Sequence, residues 1–262
     1  MMSKADVTGD VVVQYDPWGR MGNRMFQYAF GYILAMLKNR PLYHGDIPNF
    51  GIDSRLKEGQ LHNFINTKSY GNNYVDMNYL LTTEETIVVD SYLQRAEYYT
   101  PYRDILKQTF KCDNLQLINQ NKLVLHVRET DYIQLDAFIG YSGYKKIIET
   151  AGYTDVIIVT DNSNCETVKR LIAEGCTLNS EGVVDKFIYT CDNRGINDFK
   201  TLLLSENIAL SQSSFSWWAA FLGDHREIYF PLTQNGTLWK ESPGKDDIDL
   251  FFNGNKSIKV SL

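Results

Sequence analysis

The residues best suited to chemistry stand where apolar runs stop. Leu123-Val124-Leu125 leads into His126-Val127-Arg128, with Asp131 beyond. Alternate strand residues share a face, so His126 and Arg128 point the same way. A guanidinium beside an imidazole can hold a diphosphate through two parallel hydrogen bonds. An ion pair between Arg128 and Asp131 that merely shapes the loop fits the same residues. A second stretch, Ser211-Gln212-Ser213-Ser214-Phe215-Ser216-Trp217-Trp218, follows the apolar Ile208-Ala209-Leu210. Its hydroxyls, and the N–H groups that a helix start leaves unused, suit phosphate oxygens. Trp217 and Trp218 read as core residues rather than ligand platforms.

Two more strand ends carry polar side chains. Gly19-Arg20-Met21-Gly22-Asn23-Arg24 joins an apolar run to a helical pattern. Glycine there lets a ligand approach the backbone, and a helix start favours an anion; a turn with an Asn cap fits equally. Thr160-Asp161-Asn162 follows Val156–Val159 and reads as readily as a helix cap. Asp198 opens a further helical stretch, where the helix dipole alone favours a carboxylate.

Positioning these residues requires a repeating scaffold. Val11–Val13, Leu42-Tyr43-His44, Ile87–Val89, Leu123–Val127, Val156–Thr160, Lys186–Tyr189, Ile208–Leu210 and Ile228–Phe230 read as short buried strands. Between them, helical spacing covers Met25–Leu37, Tyr102–Phe110, Tyr144–Thr150, Cys165–Ala173, Asn197–Leu204 and Phe215–Leu222. Strand and helix alternate, which predicts α/β architecture with mostly parallel sheets covered on both faces. Ligands of such sheets bind at the carboxyl ends of the strands. Residues 45–81 follow no clear period.

The bulk numbers narrow the function. The chain has 262 residues, 44% hydrophobic and 22% charged, enough for one large domain or two small ones. Its formal net charge of -6 argues against a general nucleic-acid binder, so an anionic ligand needs a local cluster of donors. Cys112, Cys165, Cys176 and Cys191 lack C-x-x-C spacing and His is sparse, which argues against a zinc site and fits reduced thiols. The Met25–Leu37 run is too short and too amphipathic to span a bilayer, and no apolar signal core precedes it. The expectation is a soluble, cytoplasmic protein.

Taken together and in order, these motifs resemble a known group. Gly22-Asn23-x-Met25-Phe26-Gln27-Tyr28-Ala29-Phe30-Gly31 resembles the N-terminal signature of bacterial-type α-1,2-fucosyltransferases, glycosyltransferase family eleven. Ser213–Trp218 resembles that family's Ser-x-Phe-Ser-Trp-Trp signature, and His126-Val127-Arg128 with Asp131-Tyr132 its His-x-Arg-x-x-Asp-Tyr motif. The central motif is shared with α-1,6- and protein O-fucosyltransferases. The resemblance runs from about Gln14 to Phe230. Arg24 stands where the family usually has Gln, and Glu129-Thr130 where it usually has Arg-Gly.

The resemblance implies a GT-B-like fold of two facing Rossmann-like domains with parallel sheets, residues 1–115 on the acceptor side and 116–262 on the donor side. It implies inverting transfer of fucose from GDP-fucose to a glycan hydroxyl, with α-1,2 linkage and without a metal or other cofactor. Arg128 and Asn23 become the catalytic residues. The donor contacts become Gly22, His126, Arg128, Asp198, Ser213, Ser214, Phe215 and Ser216, with Asp198 and His126 on the guanine. Asp131 and Glu129 are candidates for a general base, with Glu129 placed near the phosphates. Asp247-Ile248-Asp249 has metal-ligand spacing but reads as a solvated charged segment. A transferase using another nucleotide sugar and a non-catalytic nucleotide- or glycan-binding module remain the alternatives.

Overall fold

The computed structural model describes residues 9–17, 19–61, 63–112, 115–129, 138–179, 193–234, 238–254 and 256–262. The chain forms two compact units. The first runs to Tyr102 and takes in Gly244–Asp247, and the second comprises Arg103–Pro243 and Ile248–Leu262.

The first unit is built on a four-stranded parallel sheet in the order β2-β1-β4-β3. Its strands are β1 (Val11–Val13), β2 (Leu42–Tyr43), β3 (Phe64–Asn66) and β4 (Thr86–Val89). Helix α1 (Met21–Lys38) follows β1 and buries Met25, Phe26, Ala29, Phe30, Ile33 and Leu34. Those positions recur at helical spacing and form the stripe that covers the sheet. Gly31 permits the close approach: a Cβ there would lie 2.4 Å from Val13 Cγ2. Asn39 ends the helix in the left-handed conformation, at φ 51°, and its N–H reaches back to the last turn. The aperiodic 45–81 stretch contributes β3 and the short α2 (Met77–Thr82), which Asp76 caps through the N–H groups of Asn78 and Tyr79.

Residues 244–247 complete this unit. Asp246 Oδ1 accepts from the N–H groups of Asn73 at 3.0 Å and Tyr74 at 2.9 Å. Arg95 donates to the carbonyls of Lys245 at 2.9 Å and Asp247 at 3.0 Å. The solvated reading of Asp247-Ile248-Asp249 is therefore corrected: these residues are half-buried and continue a hydrogen-bonded strap.

The second unit is built on a six-stranded parallel sheet in the order β10-β9-β8-β5-β6-β7. Its strands are β5 (Ile118–Val127), β6 (Val156–Thr160), β7 (Thr177–Leu178), β8 (Ser205–Ala209), β9 (Glu227–Leu232) and β10 (Ser257–Ser261). The helices are α3 (Arg103–Thr109), α4 (Gly140–Ala151), α5 (Glu166–Ala173), α6 (Asn193–Leu204) and α7 (Ser214–Leu222). The expected strand at Lys186–Tyr189 lies outside the described residues. Helix α7 is buried on every side from Ser216 to Leu222, so its sequence is apolar all round. Trp217 stacks on Phe221 at 4.7 Å, Trp218 meets Phe110 edge-on at 5.5 Å, and both indoles are core. Helix α3 belongs here because Arg103 donates to the carbonyls of Phe221 and Gly223 and Lys107 pairs with Asp224 at 2.7 Å. These cations meet the negative end of α7.

Among the described residues, no helix is long and apolar enough to cross a membrane.

Candidate active site

In the second unit the chain winds from β5 out to β7 and then returns to the other side of β5 to lay down β8, β9 and β10. The winding direction reverses between β5 and β8, and such a reversal opens a crevice at the carboxyl ends of the two strands. Leu125 pairs in register with Ala209, so the residues just beyond, His126–Arg128 and Ser211–Ser214, emerge side by side.

His126 is the centre of this cluster. Its Nδ1 lies 2.7 Å from Ser211 Oγ, and its ring faces the Phe215 ring at 5.5 Å with the planes 31° apart. Phe215 in turn meets Phe199 of α6 edge-on at 5.4 Å. Burial, reinforced by the neighbouring Arg128 charge, pushes the His126 pKa down to about 3. The imidazole is neutral at physiological pH, so the positive charge at this strand end belongs to Arg128. The Arg128 backbone N–H donates to the Tyr144 hydroxyl at 3.3 Å, which ties the end of β5 to α4.

Ser213 is the N-cap of α7, its Oγ accepting from the Phe215 N–H at 3.3 Å. Ser214 opens the helix. Ser216 is fully buried, and its hydroxyl reaches the carbonyls of Ser211 at 3.3 Å and Ser213 at 3.1 Å. It braces the turn that carries Ser213, itself buried, and Ser214.

Glu129 is also buried beside this strand end. Its carboxylate is buried and accepts from Thr167 Oγ1 of α5 at 2.7 Å. Burial, with Glu129 and Asp161 nearby, raises the pKa of Cys165 beside it. Glu129 is thus engaged by α5 through Thr167. Asp131 lies outside the described residues. The cap reading of Thr160-Asp161-Asn162 fails because Cys165 is the N-cap of α5. Asp198 lies in the second turn of α6, past the first-turn position. Its Oδ1 accepts from Asn179 Nδ2 at 3.3 Å.

The first unit gathers a separate polar group. Gly22 and Asn23 lie in the first turn of α1, whose N-cap is Arg20 without a side-chain bond, so Asn23 is not a cap. Its Oδ1 accepts from Gln94 Nε2 at 3.0 Å, and its side chain also hydrogen-bonds Tyr92. Tyr92 donates to Asp16 Oδ2 at 2.5 Å. Burial first, then the Asp16 carboxylate, pushes the Tyr92 hydroxyl up to about 12. Gln94, Asn23, Tyr92 and Asp16 thus form one hydrogen-bonded chain at the carboxyl ends of β1 and β4. Tyr92, Gln94 and Asp16 are residues that motif reading misses; inspection of the segment after Ile87–Val89 finds Tyr92 and Gln94. Arg24, the departure from the family pattern, donates to the Gly19 carbonyl at 3.1 Å and lies over the Tyr15 ring at 5.8 Å. Among the described residues, no three His, Cys, Asp or Glu side chains converge to hold a metal ion.

No protein-family model matches the sequence, and no curated protein matches it. Solved structures do share its fold. Arabidopsis thaliana FUT1, solved as a mutant in complex with GDP, aligns over 90% of this chain and 73% of its own at 11% identity, with a TM-score of 0.51. The fucosyltransferase NodZ from Bradyrhizobium aligns over 82% of this chain and 93% of its own at 12% identity, TM-score 0.48. NodZ α-1,6-fucosyltransferase soaked with GDP-fucose aligns over 82% and 93% at 13% identity, TM-score 0.45. With one wholly parallel sheet in each unit, the chain has a GT-B-like α/β fold.

Proposed function

We propose that this protein is an inverting glycosyltransferase that moves fucose from GDP-fucose to a glycan hydroxyl, in α-1,2 linkage and without a metal. The reading rests on one observation above the others: a neutral, buried His126, the cation Arg128 and the Ser213-capped start of α7 meet where the second sheet reverses direction. The likeness in fold to a protein solved with GDP supports the same nucleotide here.

In this reading the second unit binds the donor and the first the acceptor. The diphosphate gains negative charge as the bond to the sugar breaks. Arg128 stabilises that charge through a planar fork that can contact both phosphates, and Ser213 and Ser214 add hydroxyl contacts. Neutral His126 adds no charge of its own and offers a ring nitrogen at the guanine edge. Asp198 accepts from the base's N1–H and exocyclic amine. In the first unit Asn23, oriented by Gln94 and Tyr92, is the proposed catalytic polar side chain.

The test is a calorimetric titration with GDP, UDP and ADP, followed by a transfer assay with GDP-fucose. A carboxylate left unpaired by the wrong base costs roughly 1–3 kcal/mol, so GDP should bind about fivefold to 150-fold more tightly than UDP or ADP. Equal affinities reject the guanine assignment. Tight GDP binding with no turnover on any acceptor favours a non-catalytic nucleotide-binding module.

A further inference from the structure

We propose that Asn179 is a positioning residue for base recognition: it fixes the plane of the Asp198 carboxylate and so sets how sharply guanine is distinguished from other bases. The inference rests on the reading of Asp198 as the guanine contact. It adds a residue that no motif contains, at the end of a strand only two residues long.

The geometry is closed on three sides. Asn179 follows β7, and its backbone N–H donates to the Ile158 carbonyl of β6 at 2.8 Å, so its Cα is fixed by the sheet. Its Nδ2 lies 3.3 Å from Asp198 Oδ1 and 3.3 Å from Thr201 Oγ1. Asp198 and Thr201 are three residues apart on α6 and share a face. Thr201 Oγ1 donates its proton to the Asn197 carbonyl at 3.0 Å, which leaves its lone pairs toward Asn179. An ionised carboxylate can only accept. Both partners therefore call for a donor, and the amide orientation follows: nitrogen toward α6, one hydrogen for each oxygen.

The bond from Asn179 to Oδ1 restricts rotation of the Asp198 carboxylate before any ligand arrives. Guanine presents N1–H and the exocyclic amine in one plane, and two bonds to them form together only when the carboxylate lies in that plane. Hypoxanthine keeps N1–H and lacks the amine, so it needs only one of the two bonds. Fixing the plane in advance thus favours guanine over hypoxanthine, beyond any effect on the phosphates. Removing one such preset side chain costs affinity by about threefold to tenfold.

The experiment measures calorimetric dissociation constants of GDP and inosine 5′-diphosphate for the full chain and for Asn179→Ala, Asn179→Asp and Thr201→Val, with melting temperatures alongside. In Asn179→Ala the preference for GDP over the inosine nucleotide should shrink by about threefold to tenfold, GDP losing more than its analogue. Asn179→Asp sets two carboxylates against each other and should shrink it at least as far. Thr201→Val keeps the shape of the side chain and removes one anchor of the amide, so it should shrink the preference by less; it decides the question if the Asn179 variants do not fold. A preference unchanged in folded variants, or an equal loss for both nucleotides, overturns the inference and leaves the proposed function standing. A wild-type protein that binds GDP, UDP and the inosine nucleotide alike overturns the guanine reading itself, and this inference with it.

Discussion

Lowering the pH should unfold the second unit through His126, and the size of the effect follows from its burial. The ring is pushed from 6.5 down to about 3 in the folded chain. Below pH 6.5 the unfolded chain takes up a proton on this side chain that the folded chain refuses. Stability is therefore fully present above pH 6.5 and falls with pH toward 3, by about 1.4 kcal/mol per pH unit. Between pH 7.5 and pH 5.0 the loss comes to about 2 kcal/mol. The comparison that isolates it is His126→Asn, whose amide can still meet Ser211 Oγ but does not titrate. The variant will be less stable overall because it leaves a space beside Phe215. The informative quantity is the slope, which should be flatter than wild type by about 2 kcal/mol over that interval. Carboxylates, and His225, whose pKa burial also lowers, contribute equally to both proteins and cancel. Urea unfolding followed by tryptophan fluorescence reads mainly the second unit, because three of the four tryptophans, Trp217, Trp218 and Trp239, are buried there. Parallel pH dependences for the two proteins would refute the claim that His126 is buried neutral. Arg128 would then lie beside an imidazolium, and the charge assignment at this strand end would have to be rebuilt.

Arg128→Ala should lower transfer by about 10²–10³ while shifting the melting temperature little, and Arg128→Lys should recover little, because an ammonium is a point charge without the fork; a variant that melts far lower yet keeps full turnover shows a structural ion pair instead. Gly31→Ala should destabilise the chain by about 1–3 kcal/mol in chemical denaturation, since its Cβ would sit 2.4 Å from Val13 Cγ2. Adding Val13→Ala should return part of that loss, and strict additivity of the two changes would show that they do not meet. Transfer should survive a chelator; loss of activity that Mn²⁺ or Mg²⁺ restores would contradict the metal-free reading.

Much of the scaffold is legible in the sequence because parallel strands buried on both faces read as unbroken apolar runs. Leu123–Val127 and Val156–Thr160 are of this kind, and the residues that end them reach the carboxyl edge of the sheet. His126 and Arg128 are therefore found from pattern alone. Glu129 gives no such signal, because β5 ends at Val127 and its partner Thr167 lies on α5. Ser216 is harder: a hydroxyl in a phosphate-binding motif and one that braces a turn are the same residue in sequence, and only the carbonyls of Ser211 and Ser213 tell them apart. Asn179 carries no signal, because β7 is too short for periodicity and its partners lie on α6. The division of the chain is obscured in the same way. Helix α3 is held in the second unit by Asp224, 117 residues away, and local composition does not record such pairings.

The strap at residues 244–247 makes the order of synthesis matter. Its carboxylate reaches N–H groups 173 and 172 residues earlier in the chain. At about 5–20 residues per second, roughly 10–35 s separate the emergence of the 73–74 turn from that of its partner. For most of that interval all four strands of the first unit and α1 have been made, but the segment that ties the turn down has not. Its closure is thus a late event, although nearly all of its residues are translated first. A stop codon just before residue 244 would leave a lesion in a unit whose strands were made long before, and a chaperone that shelters that unit would have to hold it until residues 244–247 emerge.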